Sequence, residues 1–100
     1  MNMPLKKTKI IKLIPSRELC SESGWYAWDI ILSDPMDADF IQSLRGFGGS
    51  FLFLTQLKKP FFKIESDYYM IKGVETDPFL RMAVHDAHRE ELKRMERYLQ

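Results

Sequence analysis

The segment Arg45-Gly46-Phe47-Gly48-Gly49-Ser50 is where this chain comes nearest to site chemistry. Three glycines within four positions let a backbone reach positive φ or admit a partner at close range. Arg45 offers a fixed cation and Phe47 a ring, a combination suited to an anionic or aromatic ligand. Glycine-rich loops cradle phosphate where a strand leads through them into a helix N-terminus. Here the order is reversed, because an amphipathic segment precedes the loop and the apolar run Phe51-Leu52-Phe53-Leu54 follows it. A plainer reading covers every glycine. Gly46 leaves a helix in a left-handed conformation, and the next two glycines form a bulge that enters a strand. Arg45, Gly46, Phe47, Gly48 and Gly49 are then candidate contacts for a ligand or partner because of where they lie, not because they spell a signature.

Arg45-Gly46-Phe47-Gly48, followed by Phe51-Leu52-Phe53, also resembles the strand motif of RNA-recognition domains, whose aromatics stack on bases. That resemblance implies an RNA-binding edge at these four residues. It covers fewer than ten residues, and Gly49-Ser50 is inserted where the motif has an aromatic, which breaks the alternation that would align the rings. The formal charge of +1 supplies no electrostatic footprint for nucleic acid.

His85 and His88 are the chain's two histidines, and a spacing of three on a helix would let them share a metal. Zinc would need further ligands, for which Cys20, Glu65 and Asp67 are the loose candidates. Without them the pair reads as hydrogen-bonded histidines near a core. Cys20 is the only cysteine, which fits a reducing compartment, and no flanking base marks it as a nucleophile. Glu65, Asp67, Glu75 and Asp77 read as turn and cap residues. Glu90 and Glu91 are spaced to pair with Arg94 along a helix. No cofactor is expected.

The elements that must position these residues follow from pattern. Thr8–Ile14 and Trp25–Leu32 read as strands, rich in β-branched and aromatic residues. Asp34-Pro35 opens a short helix with Asp34 as cap, and its apolar stripe is Met36, Phe40, Ile41 and Leu44. Ser50–Leu57, Phe61–Glu65 and Tyr68–Val74 read as strands. Asp77-Pro78 repeats the cap-plus-proline pattern and predicts a long helix running nearly to Gln100. The order β-β-α-β-β-β-α implies an α+β two-layer sandwich, ferredoxin-like, with about five mostly antiparallel strands and two helices on one face.

One hundred residues, 45% hydrophobic and 29% charged, are enough for one globular domain spanning 1–100. No apolar run approaches a membrane span, and the basic N-terminus lacks a signal-peptide core, so a cytoplasmic location is expected. Trp25, Tyr26 and Trp28 fall on both faces of their strand, and Ile30-Ile31-Leu32 does not alternate. Two helices cannot cover both sides, so the second face is expected to be apolar and to join a homodimer, with the loop Arg17–Ser23 as the alternative cover. The expected function is a small non-catalytic module acting by association with itself and with a protein or small ligand, through Trp25, Trp28 and the glycine-rich edge. The alternative is a small dimeric enzyme with a pocket near Arg45, Phe47, Trp28 and His88.

Overall fold

Leu80, Met82 and Val84 are buried, and the residues between them are more exposed. That period of two belongs to a strand, so the chain after Asp77-Pro78 does not enter the long helix its letters predict. The computed structural model describes residues 8–16 and 24–99. Cys20 and the Arg17–Ser23 loop lie outside the described residues. The elements are β1 (Ile10–Pro15), β2 (Trp25–Leu32), α1 (Ala38–Ser43) with a 3-10 turn at Leu44–Phe47, β3 (Ser50–Leu54), β4 (Phe61–Glu65), β5 (Tyr69–Val74), β6 (Phe79–His85), a 3-10 turn at Asp86–His88, and α2 (Glu90–Tyr98).

Among the described residues the fold is α+β, with one antiparallel sheet of six strands in the order β1-β2-β6-β5-β4-β3 and two helices. The expectation of about five strands undercounts by β6, which lies in the middle of the sheet between β2 and β5. The paired βαβ halves that motivate a ferredoxin-like order are also missing. α1 is the one helix that joins two strands among the described residues, and α2 follows the last strand.

Neither Asp-Pro pair opens a helix. Asp37, not Asp34, caps α1, its carboxylate accepting from the Phe40 N–H at 2.8 Å. The two Asp-Pro segments instead bind each other. The Met36 N–H donates to the Asp77 carbonyl at 3.0 Å, and the Thr76 N–H to the Met36 carbonyl at 2.8 Å. Replacing the Asp37 cap should therefore matter: Asp37→Ala is expected to lower stability by about 1 kcal/mol, with Asp37→Asn retaining most of it. A urea melt of the two variants checks this.

Ile41 and Leu44 from the first helical segment, with Met95 and Leu99 from α2 and its end, share one core with Ile30, Phe62, Ile64, Ile71, Leu80 and Met82. The helices thus cover a single face of the sheet. Register puts Tyr26 and Trp28 on that covered face, opposite Val84 and Met82, so Trp25 is the one aromatic of β2 on the open face. The open face is not the continuous apolar surface expected of it. A row of charge crosses it, because Asp29, Arg81, Lys72 and Lys63 stand in register across four strands. Arg81 binds Asp29 at 2.8 Å, and Lys63 binds Glu65 at 2.9 Å. Apolar residues flank the row without joining across it.

Candidate functional site

α2 presents three stripes to three neighbours, a consequence of its 3.6-residue period. Met95 and Leu99 enter the core. Glu91, Arg94 and Tyr98 face the glycine-rich segment. Arg89, at its N-cap, with Leu92, Lys93 and Glu96 lines a cleft against β2. Nine helical residues span only about 13 Å, too short to cover the whole sheet. Among the described residues, the part α2 leaves uncovered lies over Tyr26 and beside Trp28.

The cleft measures about 420 Å³. Its apolar walls are Tyr26, Trp28, Val84 and Leu92, with Pro15 also lining it. Its rim carries the cations Arg89 and Lys93 and the carboxylate Glu96. The Arg89 guanidinium lies 5.8 Å from the centre of the Tyr26 ring and binds Asp86 at 2.6 Å. Tyr26 is half exposed, so among the described residues an aromatic surface lies uncovered beside Arg89 and Lys93. The volume falls in the range of small-molecule pockets.

The glycine-rich segment is used differently. Phe47 is buried, its ring edge-on to Tyr69 and Tyr98 at centroid distances of 5.1 and 5.5 Å. Arg94 lies 3.7 Å over that ring and donates to the Phe47 carbonyl at 2.9 Å. It also donates to Glu91 at 2.8 Å, the pairing that helical spacing anticipates, and reaches the Tyr69 hydroxyl at 3.4 Å. Burial works against the charge of Arg94, but the bonds to Glu91 and Tyr69 outweigh it and raise its pKa. Tyr69 donates to the Gly48 carbonyl, and Tyr98 to the Ser43 carbonyl. The bends of this loop fall at Gly48 and Gly49, which have positive φ, and not at Gly46. Arg45 sits apart, 5.2 Å over the Phe51 ring and 3.4 Å from Gln42.

His85 and His88 form a third cluster. His85 ends β6, and its Nδ1 accepts from the Ala87 N–H at 3.1 Å. Trp25 meets His85 edge-on at 5.6 Å, and Tyr68 lies over His88 at 4.1 Å. His88 Nδ1 is 3.4 Å from Glu90. The two rings are 6.3 Å apart, and among the described residues no group of three His, Cys, Asp or Glu is placed to hold a metal.

Of the residues singled out from sequence, Trp28 is a wall of the cleft and Trp25 borders it with its ring on the open face beside His85, whereas Arg45, Phe47 and His88 lie outside it. Arg45, Phe47 and His88 contact separate partners, so the residues named for a catalytic pocket are dispersed over the fold. Tyr26, Arg89, Leu92, Lys93 and Glu96 complete the cleft without carrying a site motif in the sequence. Their signal is the i, i+3, i+4, i+7 spacing of residues 89, 92, 93 and 96, which shows only when the helix starts near residue 90. No helix among the described residues is long and apolar enough to cross a membrane. No family model, curated protein or solved structure matches this chain.

Proposed function

We propose that this chain is a non-catalytic binding module whose ligand is an aromatic or apolar body bearing an anionic group, held in the β2–α2 cleft. The observation that carries the proposal is the half-exposed Tyr26 ring beside Trp28, left uncovered by α2 under the charges of Arg89 and Lys93. An aromatic ligand replaces water over those rings, at about 25 cal/mol per Å² of apolar surface buried. Its anionic group meets Arg89 and Lys93 at the rim, which orients it. The cleft holds charge and does not include either histidine, which favours recognition over proton transfer.

Fluorescence titration with 1-anilinonaphthalene-8-sulfonate and its neutral relative N-phenyl-1-naphthylamine tests the proposal. The sulfonate is expected to bind the folded protein. The double change Arg89→Gln, Lys93→Gln should weaken it about tenfold while affecting the neutral probe much less, a difference of about 1.4 kcal/mol. Leu92→Trp should fill the cleft and reduce binding of both probes with the melting transition retained. Probe binding that survives Leu92→Trp, or a wild type that binds neither probe, would overturn it.

A further inference from the structure

The strand order leaves two edges, β1 and β3, and the sequence treats them oppositely. Natural sheets guard an edge with lysine, proline or a bulge, because its unpaired N–H and C=O groups otherwise recruit another strand. β1 has all three: Lys12 within it and Lys9 just before it, Pro15 at its end, and a register shift between Ile10 and Lys12. β3 has none. It reads Ser50-Phe51-Leu52-Phe53-Leu54, without charge or proline, and pairs with β4 in unbroken register. Among the described residues nothing pairs with its outer side. Leu52 and Leu54 are 45% and 40% exposed.

We infer that β3 is a self-pairing edge, through which two copies of this chain join antiparallel about a two-fold axis at Leu52. A second copy is the occupant that this strand complements. With Leu52 opposite Leu52 of the other copy, Phe51 faces Phe53 on the helix-covered side and Ser50 faces Leu54 on the open side. Every apolar side chain of the strand then meets an apolar or small one, and no like charges oppose each other. Pairing β1 with β1 would instead bring lysines together. Because the contact is isologous it closes at two copies, and both guarded β1 edges end up outermost. The inference is independent of the cleft, which lies at the other end of the sheet.

Sedimentation equilibrium of the wild type and of Leu52→Lys and Leu52→Glu tests the inference. The wild type is expected to be dimeric at about 0.1 mM, a concentration that a modest interface saturates. Each variant alone should be monomeric, because like charges face each other at the axis, while still melting in one cooperative transition, at a somewhat lower temperature than the dimeric wild type. Mixing the two variants should restore a dimer, which only a register centred on Leu52 explains. A monomeric wild type, variants that dimerise as well as the wild type, or a mixture that stays monomeric would overturn it. The second of these outcomes would move the contact to another surface, such as the open sheet face.

Discussion

Arg94→Ala is expected to cost about 3 kcal/mol of stability, a large share of the total for a domain of this size. Arg94 ties α2 to the turn before β3 through a donor bond to the Phe47 carbonyl and a cation–π contact with the Phe47 ring. A hydrogen bond from a charged donor contributes about 1.5–3 kcal/mol, and a partly desolvated cation–π contact about 0.5–2 kcal/mol. The pair with Glu91 adds little, because the Arg94 side chain is 38% exposed and water screens it. Alanine also leaves the Phe47 carbonyl without its donor. The melting temperature should fall by roughly 12–24 °C. Arg94→Lys keeps the charge but loses the planar fork that stacks on Phe47 while reaching its carbonyl, so it should recover less than half. Thermal and urea denaturation of the two variants checks this. A loss of under about 1 kcal/mol for Arg94→Ala would mean that hydrophobic packing alone holds the turn to the helix.

The parts of the fold legible from sequence are those that local pattern decides. β2, β4 and β5 lie where aromatic and β-branched runs predict them, and Glu91 pairs with Arg94 as spacing requires. β6 was not legible, because Leu80 and Val84 satisfy a helical i, i+4 spacing as well as an alternating one. What selects the strand is non-local: β2 and β5 flank it, and each needs a hydrogen-bonded partner. Misreading β6 also displaced the histidines, which helical spacing pairs and which instead occupy a strand end and a 3-10 turn. Asp34-Pro35 misled in a similar way. A proline after aspartate is compatible with a helix start, but Asp37 is the residue that reaches the Phe40 N–H.

The candidate cleft was half legible. Trp28 is conspicuous as an aromatic in a strand, but its share of open surface depends on where a short helix ends. No local pattern encodes that. At the level of letters Phe51-Leu52-Phe53-Leu54 and Ile30-Ile31-Leu32 are continuous apolar runs, which is why the open face reads as apolar from sequence. The polar row from Asp29 to Lys63 is assembled from four strands and is invisible in any one of them.

Gly49→Ala is expected to be the most damaging substitution among the three glycines of the loop before β3, at about 4 kcal/mol, and a comparison of the three explains why. At Gly49 the φ of +110° is one that side chains rarely adopt, and a Cβ would lie 2.7 Å from the Glu65 carbonyl oxygen and 3.1 Å from Ile64. The obstructing atom is backbone in β4, so relief requires β3 to part from β4. Gly48 has a similar φ of +112°, but the nearest atom to a Cβ is the Tyr69 hydroxyl at 3.4 Å. Gly48→Ala therefore bears the backbone strain without the collision, at about 1–3 kcal/mol. Gly46 is the reverse case, with ordinary φ and a Cβ position 2.6 Å from the Tyr98 hydroxyl. That hydroxyl ends a side chain that can turn away, giving up its bond to the Ser43 carbonyl for about 1 kcal/mol. The reduced freedom of the unfolded chain returns about 0.4–1 kcal/mol, so Gly46→Ala should be close to neutral. Urea denaturation of the three variants should rank them Gly49, Gly48, Gly46 in descending cost. Equal losses at Gly48 and Gly49 would assign the whole requirement to φ and none to the approach of β3 to the Glu65 backbone. A tolerated Gly49→Ala would show that the edge strand can shift against β4, and a strand that shifts cannot hold the register on which pairing at Leu52 depends.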